Sequence, residues 1–198
     1  SAMAVVDTNN GAVLAMIGGR DYTVRRGLNR ATQMRRQPGS ALKPLAVYGP
    51  ALELGYTTAS VLLDEKTSFG GYTPRNAGDR YYGLVTMRTA IRNSLNTTAV
   101  RLLEEIGLDA SIQYLNKMGI PTRNSDRNLS LALGSMTYGV TPVELAAAYV
   151  PYANGGIYHQ PYCVERIETV DGSNVYERKD SGKQVLSAQN AFLMTSLL

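Results

Sequence analysis

Strand-type runs stand at the two ends of this sequence, and helix punctuation fills most of what lies between. Residues 3–7 (Met-Ala-Val-Val-Asp) and 12–17 (Ala-Val-Leu-Ala-Met-Ile) are β-prone runs either side of Asn9-Asn10-Gly11, a turn signal whose glycine supplies a positive φ. Both runs are almost continuously apolar, which predicts strands covered on both faces by helices. A second hairpin is expected over 162–170 and 174–178, turning at Asp171-Gly172. From Pro38-Gly39-Ser40 a helix is expected to run to Gly55, with Ser40 of N-cap type and Pro44 one turn in. Residues 64–83 are rich in Gly, Tyr, Asp, Asn and Pro and predict a long excursion without regular structure, of the kind that often flanks a binding site. Short helices should follow over 86–93 and 97–106, the latter stopped by Gly107, and a third from a cap at Asp109 to Met118. Thr141-Pro142-Val143-Glu144 is a capping box with proline at the first helical position, Pro151 should end or kink that helix, and Ser187 should cap a last one. Strands, helices and strands in that order exclude regular βαβ alternation and give an α+β fold.

Composition narrows the chemistry more than the fold. At 198 residues with 44% hydrophobic and 18% charged, the chain can bury a proper core. No apolar run approaches the roughly 18 residues of a membrane helix, and no charged-then-apolar leader opens the sequence. A single cysteine, Cys163, excludes an internal disulfide framework and a cysteine zinc site. A single histidine, His159, confines any imidazole chemistry to one position, so a hydrolase or transferase built on this chain uses another base. Neither residue has motif partners; both read as structural, and no metal or cofactor is expected. The net charge is +4, and Arg20, Arg25, Arg26, Arg30, Arg35 and Arg36 crowd one segment. They read as a solvated face with some ion pairs, or as a face toward anionic wall polymer or lipid headgroups. Nucleic acid is not expected, because only Tyr22 is nearby to stack and no groove-reading motif is present.

Two short patterns carry chemistry. In Ser40-Ala-Leu-Lys43 the serine and lysine are three apart, about 5–6 Å between Cβ atoms on a helix face. A serine hydroxyl attacks only when a base takes its proton, and a neutral lysine can be that base if burial lowers its pKa. Backbone N–H groups at the start of such a helix can hold an oxyanion. Ser94-Leu95-Asn96 falls between two expected helices. Its hydroxyl and amide suit a proton relay and the orientation of a lysine, and the same residues suit a cap, by Asn96 or Thr97, on the following helix.

The wording around both patterns is specific. Asn29-Arg30-Ala31-Thr32 and Arg36-Gln37-Pro38-Gly39-Ser40-Ala41-Leu42-Lys43-Pro44 closely resemble the active-serine region of class A, bifunctional penicillin-binding proteins. Tyr72-Thr73-Pro74-Arg75-Asn76 and Gly83-Leu84-Val85-Thr86-Met87-Arg88, leading to Ser94-Leu95-Asn96, are similar to the stretch with that family's second motif. Gly134-Ser135, Gly139-Val140-Thr141-Pro142-Val143-Glu144-Leu145-Ala146 and Ala153-Asn154-Gly155-Gly156 resemble its downstream helical region. The likeness covers essentially the whole chain, in order.

The resemblance implies the penicillin-binding-protein/serine β-lactamase-like fold, an antiparallel sheet covered by helices with a helical subdomain, and D,D-transpeptidase activity. Ser40 would form an acyl-enzyme with the D-Ala-D-Ala end of a peptidoglycan stem peptide. Lys43 would be its base, Ser94 would pass the proton toward the leaving D-alanine, and Asn96 would hold Lys43 and the substrate amide. A neighbouring stem amine would then resolve the ester into a cross-link, and β-lactams would acylate Ser40. The family's third motif, Lys-Thr/Ser-Gly, is absent. Lys66-Thr67-Ser68 lacks the glycine and precedes the second motif. The resemblance thus makes residues 1–198 the N-terminal part of a transpeptidase domain. It is expected to bind penicillin poorly alone and to be completed by a C-terminal remainder carrying Lys-Thr-Gly. The family's glycosyltransferase half and membrane anchor are not in this sequence; through that anchor the domain would sit on the outer side of a bacterial cell membrane. Rival readings are a D,D-carboxypeptidase, a serine β-lactamase, which needs a deacylating carboxylate that Glu104, Glu105 and Glu144 do not supply, and a non-catalytic interaction module.

Overall fold

In the computed structural model, residues 1–21 and 24–198 are described; Tyr22 lies outside them. The N-terminal hairpin forms as expected. Strands β1 (Met3–Val6) and β2 (Val13–Ile17) pair antiparallel, Met3 opposite Ile17, with a bulge at Val5/Val6. The expectation of burial on both faces is not met. Alternation places Met3, Val5 and Ile17 on an open face, 49%, 42% and 51% exposed, while Ala4 and Val6 turn inward toward helix α5 (Pro142–Ala153) and Met16 turns toward Asn29. In the structure these apolar runs belong to a strand pair covered on one side only.

Residues 39–53 form one helical segment of changing pitch. A 3₁₀ turn, Gly39–Leu42, leads into a π turn, Pro44–Tyr48, and then α1, Gly49–Glu53. Ser40 is inside the first turn and caps nothing; the N-cap position falls on Pro38, which has no side chain to cap with. Pro44 at the first position of the π turn explains the change of pitch, because it cannot donate into the preceding turn. Leu42, Leu45, Ala46, Val47 and Tyr48 are wholly buried, so the segment runs through the middle of the core. Around it pack α3 (Asn96–Ile106), α4 (Leu108–Lys117) and α6 (Ala188–Leu197), contributing Leu102, Leu103, Leu115 and Met194.

The excursion is bounded by a strand pair that the sequence reading did not anticipate, β3 (Val61–Asp64) with β4 (Gly83–Thr86). Helix α2 (Met87–Arg92) follows at once, capped by Thr86 Oγ1, which accepts from Thr89 N. Helix α4 starts at Leu108 after Gly107, and Asp109 does not cap it; Asp109 instead pairs with Arg127 at 2.5 Å. The Thr141–Glu144 capping box is present in full, and α5 continues through Pro151 before closing at Asn154. The second hairpin is β6 (Arg166–Glu168) with β7 (Asn174–Glu177); a two-residue pair, β5 (Ile157–Tyr158) with β8 (Lys183–Gln184), was not foreseen. Ser187 caps α6 as expected.

Candidate active site

Three of the four expected site residues are joined by hydrogen bonds. Lys43 Nζ donates to Asn96 Oδ1 at 2.6 Å, to the Ser94 carbonyl oxygen at 2.6 Å and to Ser94 Oγ at 3.1 Å. Those partners are 51 and 53 residues away along the chain. Lys43 is 2% exposed, held by the core packing of residues 42–48. Burial lowers its pKa from 10.5 to about 8, because an ammonium loses more than an amine on leaving water.

Ser40 is placed differently from the simple expectation. Its Oγ makes no hydrogen bond among the described residues, to Lys43 or to any other group. It is exposed, and it shares with Lys43 and Ser94 the wall of one open cavity of about 510 Å³, where Pro44, Arg88 and Arg92 also line the surface. The hydroxyl is therefore on the solvent side of a buried amine. The structure brings all four residues to one place, with the lysine turned toward the Ser94–Asn96 bend.

Ser94 has φ +49°, in the left-handed region that side chains other than glycine rarely adopt. Its N–H bonds to Ile91 O at 2.9 Å and Leu95 N–H bonds to Ala90 O at 3.0 Å, the paired closure of a helix C-terminus in which glycine usually takes the left-handed position. Serine there tips its carbonyl and its hydroxyl together toward Lys43. The N-cap of α3 falls on Leu95, so neither Asn96 nor Thr97 caps it and the capping reading of this motif does not hold.

Two supports lie outside the expected site set, Gly134 and Asn76 within resembling segments and Asp64 at the start of the 64–83 excursion. Gly134, at φ +77°, passes so close to the Gly39 backbone that a Cβ would lie 2.2 Å from its carbonyl oxygen. Asn76 and Asp64, both buried, sit beneath the start of α3. Of the remaining candidates, Lys66-Thr67-Ser68 does not line the cavity, and Thr67 Oγ1 accepts from Arg101 at 2.8 Å. His159 is buried with Nδ1 3.5 Å from Asp180 Oδ2, Cys163 is a free exposed thiol, and neither lines the cavity. In the arginine cluster, Arg35 forms an ion pair with Glu144 and Arg30 donates to Gly18 O at 3.2 Å. A larger cavity of about 750 Å³, between β1 and α5, is mainly apolar and contains none of the four site residues.

Comparison with known proteins identifies the family. The model of the penicillin binding protein transpeptidase domain matches residues 1–198. This chain belongs to the penicillin-binding protein transpeptidase family. It is 45% identical over 194 residues to penicillin-binding protein 1F of Bacillus subtilis (strain 168), covering 98% of this chain and 27% of that protein. It is 36% identical over 212 residues to penicillin-binding protein 1A of Clostridium botulinum (strain Langeland), covering 100% of this chain and 26% of that one. Among solved structures, penicillin-binding protein 1A from Haemophilus influenzae superposes with a TM-score of 0.84 at 30% identity, over all of this chain and 34% of that one. PonA1 of Mycobacterium tuberculosis in complex with penicillin V gives 0.87 at 25% identity, over all of this chain and 55% of that one. The fold is that of the transpeptidase domain of class A penicillin-binding proteins, and the chain spans about a quarter of the length of the curated relatives it matches. No helix among the described residues is long and apolar enough to cross a membrane.

Proposed function

We propose that this chain carries the serine and lysine of a peptidoglycan D,D-transpeptidase, with Ser40 as nucleophile, Lys43 as base, Ser94 as proton relay and Asn96 as the residue that holds Lys43 and a substrate amide. The observation that carries the reading is the set of three acceptors around Lys43 Nζ beside an unengaged Ser40 hydroxyl. Two of the acceptors, Asn96 Oδ1 and the Ser94 carbonyl, can only accept. They fix two N–H bonds of a neutral lysine and leave its lone pair toward the Ser94 hydroxyl, so the Ser40 hydroxyl on the same cavity wall has to turn toward it when substrate binds. Ser40 Oγ–H gives its proton to that lone pair as the oxygen attacks the carbonyl of D-Ala-D-Ala. Ser94 Oγ, able to accept from Lys43 and donate onward, delivers a proton to the leaving D-alanine nitrogen. The stem peptide is then an ester on Ser40, and the amine of a neighbouring stem displaces the serine to complete the cross-link. A β-lactam enters by the first step, its ring amide opening in place of the peptide bond.

The remainder of the site is proposed to come from a C-terminal segment carrying Lys-Thr-Gly on a sheet strand. That β1 and β2 form only a two-stranded sheet among the described residues supports further strands added at its edge, and their open apolar face supports an element packed over them. A domain of this activity works on wall polymer, which places it on the extracytoplasmic side of a bacterial membrane. Fluorescent penicillin applied to the full-length protein tests the reading: labelling should be covalent, map to Ser40 by mass spectrometry and vanish in Ser40→Ala. Equal labelling of the variant would end the Ser40 assignment. Comparing cross-linked with trimmed product separates a transpeptidase from a carboxypeptidase.

A further inference from the structure

We infer that Asn76 and Asp64 are positioning residues that set the polarity of the Asn96–Lys43 contact, a deepening that rests on the acyl-transfer reading above. The start of α3 needs acceptors for its first N–H groups, and its N-cap residue, Leu95, has none to offer. Asn76, twenty residues upstream, supplies them: its Oδ1 accepts from Asn96 N at 2.7 Å and from Thr97 N at 3.2 Å. Its Nδ2 donates to Asp64 Oδ1 at 2.7 Å and to the Arg80 carbonyl at 2.9 Å. Two partners can only donate and two can only accept, so the Asn76 amide has a single workable orientation.

Asp64 anchors that orientation. It is fully buried on β3; Thr97 Oγ1 donates to its Oδ1 and Tyr82 N donates to its Oδ2 at 2.9 Å. The adjacent residue completes the arrangement, because the Arg75 carbonyl accepts from Asn96 Nδ2 at 2.7 Å. The Arg75-Asn76 step therefore holds Asn96 by its backbone and by its side chain. With Nδ2 committed to Arg75, Asn96 Oδ1 is the atom presented to Lys43. A flipped Asn96 amide would set an N–H donor against the lysine and an oxygen against the Arg75 carbonyl. An ordinary cap would need only a serine or aspartate at position 95; a buried, fully satisfied amide and carboxylate drawn from another segment do more than close a helix.

The test is a double-mutant cycle in the full-length protein, read by the rate of covalent labelling with fluorescent penicillin under single-turnover conditions. Asn76→Ala should lower the acylation rate constant about tenfold or more with less than a threefold change in the penicillin dissociation constant. In an Asn96→Ala background the same substitution should change the rate less than twofold, since its effect passes through Asn96. Independent, multiplying losses, or an Asn76→Ala protein that acylates at the wild-type rate, would overturn the proposal. If Asn76→Ala does not give a cooperative thermal transition, Asp64→Asn, which keeps the shape and removes one acceptor, is put through the same cycle with the same criteria. Ser40→Ala is the separate control: labelling that survives it overturns the acyl-transfer reading, whereas labelling lost in Ser40→Ala but undiminished in Asn76→Ala sinks only the positioning role.

Discussion

Lys43 Nζ lies 2.6 Å from Asn96 Oδ1 and 3.1 Å from Ser94 Oγ, and of all its partners only the Ser94 hydroxyl can reverse its role from acceptor to donor. A lysine with these surroundings, acting as the proposed base, has a defined pH response. With its pKa near 8, roughly a quarter of the lysine is neutral at pH 7.5, against about one part in a thousand at the ordinary value of 10.5. Acylation of Ser40 by penicillin should therefore climb with pH through a midpoint near 8 and fall about tenfold for each unit below pH 7, because the ammonium cannot accept the serine proton. Lys43→Arg, which stays charged at every accessible pH, should lose about 10²- to 10⁴-fold and show no such midpoint. Single-turnover labelling across pH 6–9 reads both.

Ser94 predicts opposite signs for stability and activity. A side chain in the left-handed region costs about 1–2 kcal/mol, and glycine escapes that cost while giving back about 0.5–1 kcal/mol of unfolded-chain entropy. Ser94→Gly should therefore raise stability by up to about 1 kcal/mol and the melting temperature by about 2–4 °C. The same change removes the hydroxyl proposed as the relay and should depress acylation by at least about tenfold. A thermal scan and a labelling time course on one preparation settle it; a variant that is less stable, or that acylates normally, contradicts the account of this turn.

Gly134 should be intolerant of even one added methyl. Its φ of +77° is strained for alanine, and the new Cβ would stand 2.2 Å from Gly39 O and 2.5 Å from Gly39 N, both backbone atoms that cannot swing aside. The turn that yields is the one that carries Ser40. Gly134→Ala should cost at least about 2 kcal/mol in urea unfolding and slow acylation in the fraction that remains folded. Normal stability with normal labelling would mean that the 39–42 turn has slack that this packing does not show.

Elements with local causes were legible in the sequence. Asn10-Gly11 sets the first hairpin, the Thr141–Glu144 box sets α5, and Ser187 sets α6, each through chemistry contained within a few residues. Elements whose cause lies far away were not. The β3–β4 pair depends on Asp64 finding Asn76, Tyr82 and Thr97, and α3 is capped from a distant loop, which no local N-cap rule detects. The helix from Ser40 changes pitch under Pro44 and under the demands of core packing rather than by propensity. The Ser40, Lys43, Ser94 and Asn96 set was proposed from the longer, distinctive wording around two short motifs; that Lys43 faces Ser94 and Asn96 instead of Ser40 is a tertiary fact.

Asp126 gives the last prediction, an acid limit on the turn that it ties to Arg123 and Thr137. It is 2% exposed and accepts from Arg123 N at 2.8 Å, Thr137 N at 2.7 Å and Thr137 Oγ1 at 2.6 Å. Burial pushes its pKa up, but the bonds from Thr137 and Arg123 favour the carboxylate and outweigh it, so the value falls below the ordinary 3.8. The sign follows from proton binding. Between the folded pKa and 3.8 the unfolded chain carries more of this proton than the folded one, so stability rises with pH across that window. The contribution is complete above the unfolded value and disappears as pH falls through the folded one. Asp126→Asn keeps the shape but sets an N–H donor against one of three donors, which should cost about 1–3 kcal/mol at pH 7. It should also flatten the acid limb of stability, since position 126 no longer titrates. Urea unfolding at intervals from pH 7 down to pH 3 measures both quantities. A variant with the wild-type slope on the acid limb would assign that limb to other carboxylates and leave Asp126 as an ordinary hydrogen-bonding group.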